Sequence, residues 1–175
     1  RTSAATIALS GAPTTNDTVC TMAAIFMPTS IVAANTDVIL RNTNGATGFT
    51  LSINSSGALA FDVAGTSLSS GITISANIPY FVAATFTGAT NIAYFVVLNL
   101  ATGALQTANA THSNTPTAGT GTYTIGIGGS GSGDNSMQGH IAAVMHSVLS
   151  ITPVQLAQWA ANPWEFWYPS FNDYV

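Results

Sequence analysis

Through much of this chain apolar residues fall at every second position, in short runs separated by Gly, Asn, Ser and Thr. Phe49, Leu51 and Ile53 alternate with Thr50 and Ser52, Asn54–Gly57 supplies turn residues, and Leu59, Phe61 and Val63 alternate again. A period of two puts one set of side chains on one face of an extended chain, so this segment reads as a half-buried hairpin. Further strands are expected at Ala4–Leu9, at Thr18–Met27 with Pro28 ending it, at Asp37–Arg41, around Ile72 and Ile74, and at Tyr80–Phe86. Others are expected at Ile92–Leu100, Leu105–Ala108, Tyr123–Ile127 and Gly139–Ser147. Between them Gly11–Asn16, Asn42–Gly45, Ala101–Gly103, Ala110–Gly121 and the glycine-rich Gly128–Ser136 read as turns or loops. Strands recurring every ~8–12 residues, with no strand–helix alternation, predict an all-β chain of two packed antiparallel sheets.

One stretch departs from that rhythm. Met137–Pro163 reads as a strand, a turn and the one convincing helix in the sequence. Gly139–Ser147 is apolar on both faces, with Ile141, Ala143 and Met145 on one and Ala142 and Val144 on the other, as in an interior strand. Thr152 suits an N-cap, Pro153 the first helical position, and Gln155 completes a capping box. Leu156, Trp159 and Ala160 form one apolar stripe, and Asn162-Pro163 stops the helix. Gly139, Ile141, Val144, Leu149, Ser150 and the helix from Pro153 resemble the closing strand, turn and short helix of laminin-G-like, concanavalin A-like jelly-roll domains. Tyr123–Gly126 and Asn77–Ala83 resemble two earlier strands of that family. Asn162–Phe166 is similar to an ending found on such domains in bacteriophage virion proteins. The resemblance implies an antiparallel two-sheet jelly-roll sandwich with one short C-terminal helix. The jelly-roll domain would span residues 1–163, and an aromatic C-terminal tail residues 164–175.

Charge narrows the partners. Lysine is absent, Arg1 and Arg41 are the only other strong cations, and charged residues make up 5% of the chain, against about 25% in ordinary domains. So few cations cannot neutralise phosphates or an anionic bilayer surface, which argues against nucleic acid and membrane as partners. No apolar run is long enough for a membrane helix. No apolar leader with a cleavage site is visible, and Arg1 in place of Met suggests a processed or trimmed start. A surface of Thr, Ser, Asn and Gly suits neutral glycans, self-association, or packing against other structural subunits, since few long charged side chains must be ordered on contact. The expected location is extracellular or on a virion surface.

Catalytic chemistry finds little support. The resemblance brings in glucanases, whose pattern places two Glu around an Asp on one strand. Here Glu165 is the single glutamate and the five Asp residues are scattered, whereas glycoside hydrolysis ordinarily needs a facing carboxylate pair. No catalytic residue is assigned and the chain is not expected to be an enzyme. Gly126–Gly131 matches G-x-G-x-x-G but leads into Ser132, Gly133, Asp134 and another strand, so it reads as a hairpin loop. His140 and His146 share a face in an unbroken strand but lie about 20 Å apart, too far to hold one metal. Cys20 is alone and reads as a small buried hydrophobe. Related domains often carry calcium near the rim of the sandwich. Asp134 and Asn135 have the oxygens for such an ion or another ligand, although calcium usually wants several carboxylates. No other cofactor is expected. Trp164, Phe166, Trp167, Tyr168, Phe171 and Tyr174 are too many large apolar groups for a solvated tail. They would dock on their own sandwich, bury in a neighbouring subunit or stack on sugar rings, and they are the candidate interface. The expected function is a non-enzymatic structural or adhesion module of a virus-like or extracellular assembly, of the phage capsid decoration, tail or fibre type, with weak glycan binding. The alternative is a carbohydrate-binding, lectin-like module of a secreted bacterial protein.

Overall fold

The computed structural model describes residues 19–31, 36–44, 47–113, 122–125 and 134–164. The expected strand at Ala4–Leu9 and the turn at Gly11–Asn16 lie outside them. The elements are β1 (Val19–Ser30), β2 (Thr36–Asn44), β3 (Thr47–Ile53), β4 (Ala58–Val63), β5 (Thr66–Thr73), β6 (Tyr80–Thr87), β7 (Ile92–Asn99), β8 (Leu105–Thr111), β9 (Thr122–Ile125), β10 (Asp134–Ser136), β11 (Gln138–Ser147) and α1 (Pro153–Ala161). A five-stranded sheet runs in the order β11-β1-β6-β7-β8. A six-stranded sheet runs β10-β2-β3-β4-β5, with β9 also paired to β2. Pairing is antiparallel in both sheets except for β10 beside β2.

Alternation sets the core. Cys20, Met22, Ala24 and Phe26 of β1 and Tyr80, Val82, Ala84 and Phe86 of β6 face Leu51, Ile53, Leu59 and Phe61 of the other sheet. Cys20 is thus a buried member of the inter-sheet layer, as read from its neighbours. Phe49 stacks on Phe61 with centroids 5.6 Å apart and tilts against Phe86 at 6.1 Å. The opposite faces of β1, β6 and β7 carry Ala23, Ile25, Phe81, Ala83 and Val96, which pack on Leu156 and Ala160 of α1. The five-stranded sheet is therefore apolar on both sides, sandwiched between the second sheet and the helix.

Several expectations change in the structure. Pro28 does not end β1, which runs to Ser30. Pairing with β6 stops at Phe26, so Pro28 has only β11 beside it and its missing N–H interrupts no central ladder. Asn42–Asn44 continue β2 instead of turning, held by β3 on one side and β9 on the other through Thr43. The β3–β4 hairpin is buried on both faces, since Thr50 and Ser52 are as enclosed as their apolar neighbours. Leu105–Ala108 extends to Thr111 as β8, and Asp134–Ser136 form β10 where a loop was expected.

The helix follows its sequence signals. The Thr152 hydroxyl accepts from Gln155 N, the Gln155 side chain accepts from Thr152 N, and Pro153 opens the first turn. Asn162 caps the far end. A polar latch holds the preceding turn on the sheet. The Thr21 hydroxyl donates to the Leu149 carbonyl at 2.8 Å, and Ile151 N donates into the same site at 3.2 Å. One hydroxyl has one proton, so Thr85 is the donor in its 2.8 Å contact with Thr21. Both threonines are buried. Thr21→Val keeps the shape but strands the Leu149 carbonyl and part of the Ile151 N–H. A loss of about 1–3 kcal/mol is expected from urea unfolding, with Thr152→Ala, at the exposed cap, costing about 1 kcal/mol.

Candidate functional site

The outer face of the five-stranded sheet is only partly covered by α1. Register fixes what remains. Tyr94 of β7 pairs with Thr85 on one side and Asn109 on the other, and Val96 pairs with Ala83 and Thr107. Tyr94, Thr107 and Asn109 therefore share the face that carries the helix, on the side away from β1 and β11. Together with Val96 and Pro153 of the helix N-terminus they line a groove of ≈ 290 Å³, bordered by Phe95 and Ala108. Phe95 and Ala108 belong to the inter-sheet core and form the floor. Thr107 and Asn109 are exposed and Tyr94 is half-buried. The groove thus offers an aromatic ring, a hydroxyl, a carboxamide and no charge. Such a set suits a neutral polyhydroxylated ligand, with the ring taking its apolar face and the polar groups its hydroxyls.

The sequence did not single out these residues as a site. Ile92–Leu100 reads as a strand, but β7 is apolar on both faces, so its outward face is not identifiable from sequence. The signal that finds the site is pairing, which puts Tyr94 opposite Asn109.

The candidates named from sequence lie elsewhere. Asp134 and Asn135 are in β10, paired in parallel with Thr36 and Asp37 of β2, on the other sheet from the groove. Among the described residues no group of three His, Cys, Asp or Glu is arranged to hold a metal. Trp164 follows the helix and is 53% exposed. Phe166, Trp167, Tyr168, Phe171 and Tyr174 lie outside the described residues.

The histidines separate by environment. A bulge at Ala142 breaks the parity of β11, because Ala143 pairs with Ile25 while Ile141 pairs with the next residue, Phe26. His146 then lies opposite Met22, on the core side, and His140 opposite Met27, on the other. The expectation that they share a face is overturned by that extra residue. His112 is buried after β8, with Nε2 3.1 Å from the Val63 carbonyl, which can only accept, so that nitrogen carries the proton. Burial pushes the His146 imidazole down from 6.5 to about 4. Between those values the unfolded chain holds a proton that the folded chain refuses. The contribution is complete above pH 6.5 and is lost as the pH falls towards 4. The ring is partly solvated, which reduces the effect to about 1–2 kcal/mol. Melting followed between pH 7 and pH 5, above the ordinary carboxylate range, is expected to show a drop that His146→Gln largely removes.

No protein-family model and no curated protein matches the chain. Solved structures do. The CBM40 domain of the Ruminococcus gnavus IT-sialidase, bound to alpha2,3 sialyllactose, aligns with a TM-score of 0.58 at 13% identity over 90% of this chain and 96% of that one. Domains LG4-5 of the mouse laminin alpha1 chain align with a TM-score of 0.60 at 14% identity, over 85% of this chain and 42% of that one. The enzymatically active domain of bacteriophage CBA120 tailspike protein 2 aligns with a TM-score of 0.58 at 19% identity, over 90% of this chain but 26% of that one. Identities this low establish architecture, and with the two sheets and closing helix they show that the chain has the laminin-G-like, concanavalin A-like jelly-roll fold.

Proposed function

We propose that the chain is a non-enzymatic adhesion module that holds neutral glycans in the Tyr94 groove. It would work on the surface of a virus-like or other extracellular assembly, of the phage tail, fibre or capsid decoration type. The observation that carries the reading is the uncharged groove itself, with Tyr94, Thr107 and Asn109 on one face. The fold is shared with a sialidase CBM40 bound to sialyllactose and with a phage tailspike domain, which supports a surface role. A lectin-like module of a secreted bacterial protein would use the same groove without the particle.

Among the described residues, two buried or half-buried carboxylates argue against a hydrolase. Asp62 pairs with Thr50 and Asp37 with Ile53, on opposite faces of the six-stranded sheet, with β3 between them. They do not form the facing pair that glycoside hydrolysis ordinarily requires. The cations bear on the sugar class. Arg41 is on the other sheet, where its Nε donates to Thr50 at 3.3 Å. No cation lines the groove to give a sialic acid carboxylate a charge-assisted partner, so neutral glycans are favoured over sialylated ones.

A glycan array carrying neutral and sialylated sugars, read with and without calcium, tests this. Binding to neutral glycans that drops tenfold or more in Tyr94→Ala is expected, a fold-change equal to about 1.4 kcal/mol. Silence across the array, or binding that Tyr94→Ala leaves intact, would remove the groove from consideration.

A further inference from the structure

The groove is one part of a longer strip. On the outward face of β7 and β8 the register pairs Leu98 with Leu105, Val96 with Thr107, Tyr94 with Asn109 and Ile92 with Thr111. The groove takes the two middle pairs, with Pro153 as its wall. The helix begins at that wall, and Leu156 and Ala160 pack on Ala23, Phe81, Ala83 and Val96. It therefore runs away from Ile92, and the pair of Ile92 with Thr111 lies beyond its N-terminus. Ile92 is half-buried, yet it belongs to neither apolar cluster of the sandwich, and nor does Tyr94. The two form an apolar rail along β7 that neither core uses. Thr107, Asn109 and Thr111, all exposed, form a polar rail beside it on β8.

We propose that the strip holds an internal run of a straight, neutral polysaccharide lying parallel to β8, with Ile92 and Thr111 forming a second subsite beyond the groove. The inference rests on the glycan reading of the groove and adds the length and shape of the ligand. Two rails of different chemistry match the two chemistries of a sugar ribbon. Its ring faces are apolar and lie on Ile92 and Tyr94, while the hydroxyls along one edge meet Thr107, Asn109 and Thr111. No residue on either rail is charged, so the ligand is neutral throughout and not only at the groove.

Dimensions set the shape of the chain. From Thr107 to Thr111 is about 13 Å of strand, and from Leu105 to Thr111 about 20 Å, which outruns a single sugar ring. A strand is nearly straight over that distance. Hexoses joined through equatorial bonds, as in β-1,4-linked chains, form a straight ribbon that can follow it. Axially linked chains coil and leave it. The strip is open at both ends, since Thr111 is exposed and Leu105 is 46% exposed, so the polysaccharide passes through without presenting a terminus.

Chain length supplies the test. Titration calorimetry uses β-1,4-linked glucose, mannose and N-acetylglucosamine, each from monosaccharide to hexasaccharide. Affinity in the recognised series is expected to rise about tenfold or more with length, as the added ring meets Ile92 and Thr111, and then to level off once the chain outruns the strip. The double variant Ile92→Ala/Thr111→Ala is expected to flatten that rise. Thr111→Ala alone, at an exposed position, is expected to lower it and serves if the double variant does not fold. Maltohexaose, a coiled α-1,4-linked chain, is expected to gain nothing over glucose. Equal affinity at every length would overturn the strip and leave the groove standing. A rise that both variants keep, or an equal rise with maltohexaose, would do the same. Silence from every oligomer overturns this inference whatever the array shows, whereas the groove itself falls only with the array.

Discussion

Gly139→Ala is expected to cost about 3 kcal/mol or more, enough to leave a domain of ordinary stability marginal. Gly139 has a φ of 152°, a conformation that a residue with a Cβ rarely adopts. It also faces the backbone of β1. An added Cβ would overlap the Met27 carbonyl oxygen and stand 2.7 Å from Pro28 Cα and 3.0 Å from Thr29 N. None of these is the tip of a flexible side chain, so the relief must come from separating β1 and β11 at the bulge where Pro28 and Ser30 flank the unpaired Thr29. Gly57→Ala is the control. Its φ is 78° but nothing lies within 4 Å of an added Cβ, so it carries backbone strain alone, about 1 kcal/mol. The measurement is the urea midpoint of both variants. A Gly139→Ala protein no less stable than Gly57→Ala would mean that the strands yield without cost.

Phe86→Ala is expected to cost about 3–5 kcal/mol. Phe86 is fully buried and points from β6 into the inter-sheet layer. Its ring lies 6.1 Å from Phe49 on the opposite sheet and 6.1 Å from the His112 ring, which meets it edge-on at 72°. Truncation removes both contacts and leaves a cavity between two sheets whose backbones are fixed by their ladders. Collapse around the void is therefore incomplete. His112 should loosen in the same variant, since it is held between that ring and the Val63 carbonyl. Phe86→Leu, which fills most of the space, is expected to lose less than half as much. Calorimetric melting separates the two, and a Phe86→Ala loss below 1 kcal/mol would show that the core refills.

What could be read from the sequence was what local chemistry decides. The Thr152–Gln155 capping box and the Leu156–Ala160 stripe need only neighbours within one turn, and both stand in the structure. The strand at β6 was likewise legible from its run of apolar residues, which are buried on both faces, Tyr80, Val82, Ala84 and Phe86 between the sheets and Phe81 and Ala83 beneath the helix. The turn at Ala64-Gly65 was not. Its residues sit at φ of 49° and 82°, the left-handed pair of a tight hairpin turn. Ala is a poor residue for the first position, so the sequence carries no Asn-Gly signal there and the start of β5 was missed.

Features set by distant contacts were illegible for a different reason. The bulge at Ala142 inserts a residue that looks like its neighbours, and only the pairing with β1 reveals that His140 and His146 diverge. β10 is three residues of Asp, Asn and Ser, held because β2 offers a ladder beside it. The groove shares this character. Tyr94, Asn109 and Pro153 are ordinary residues far apart in sequence, brought together by sheet register and by the latch that seats α1.

The position of β1 has a kinetic consequence. It lies between β6 and β11, and the Thr21 hydroxyl reaches Leu149 across 128 positions of chain. The entropy of closing so long a loop is spent before the contact is made, which places this architecture among slow folders. A chain emerging from its N-terminal side can pair β1 with β6 well before β11 exists. Until then β1 has an apolar open flank, with Ala24, Ile25 and Phe26 along it. Productive folding then competes with intermolecular capture of that flank, a race that dilution or a holding chaperone would favour and crowded synthesis would not.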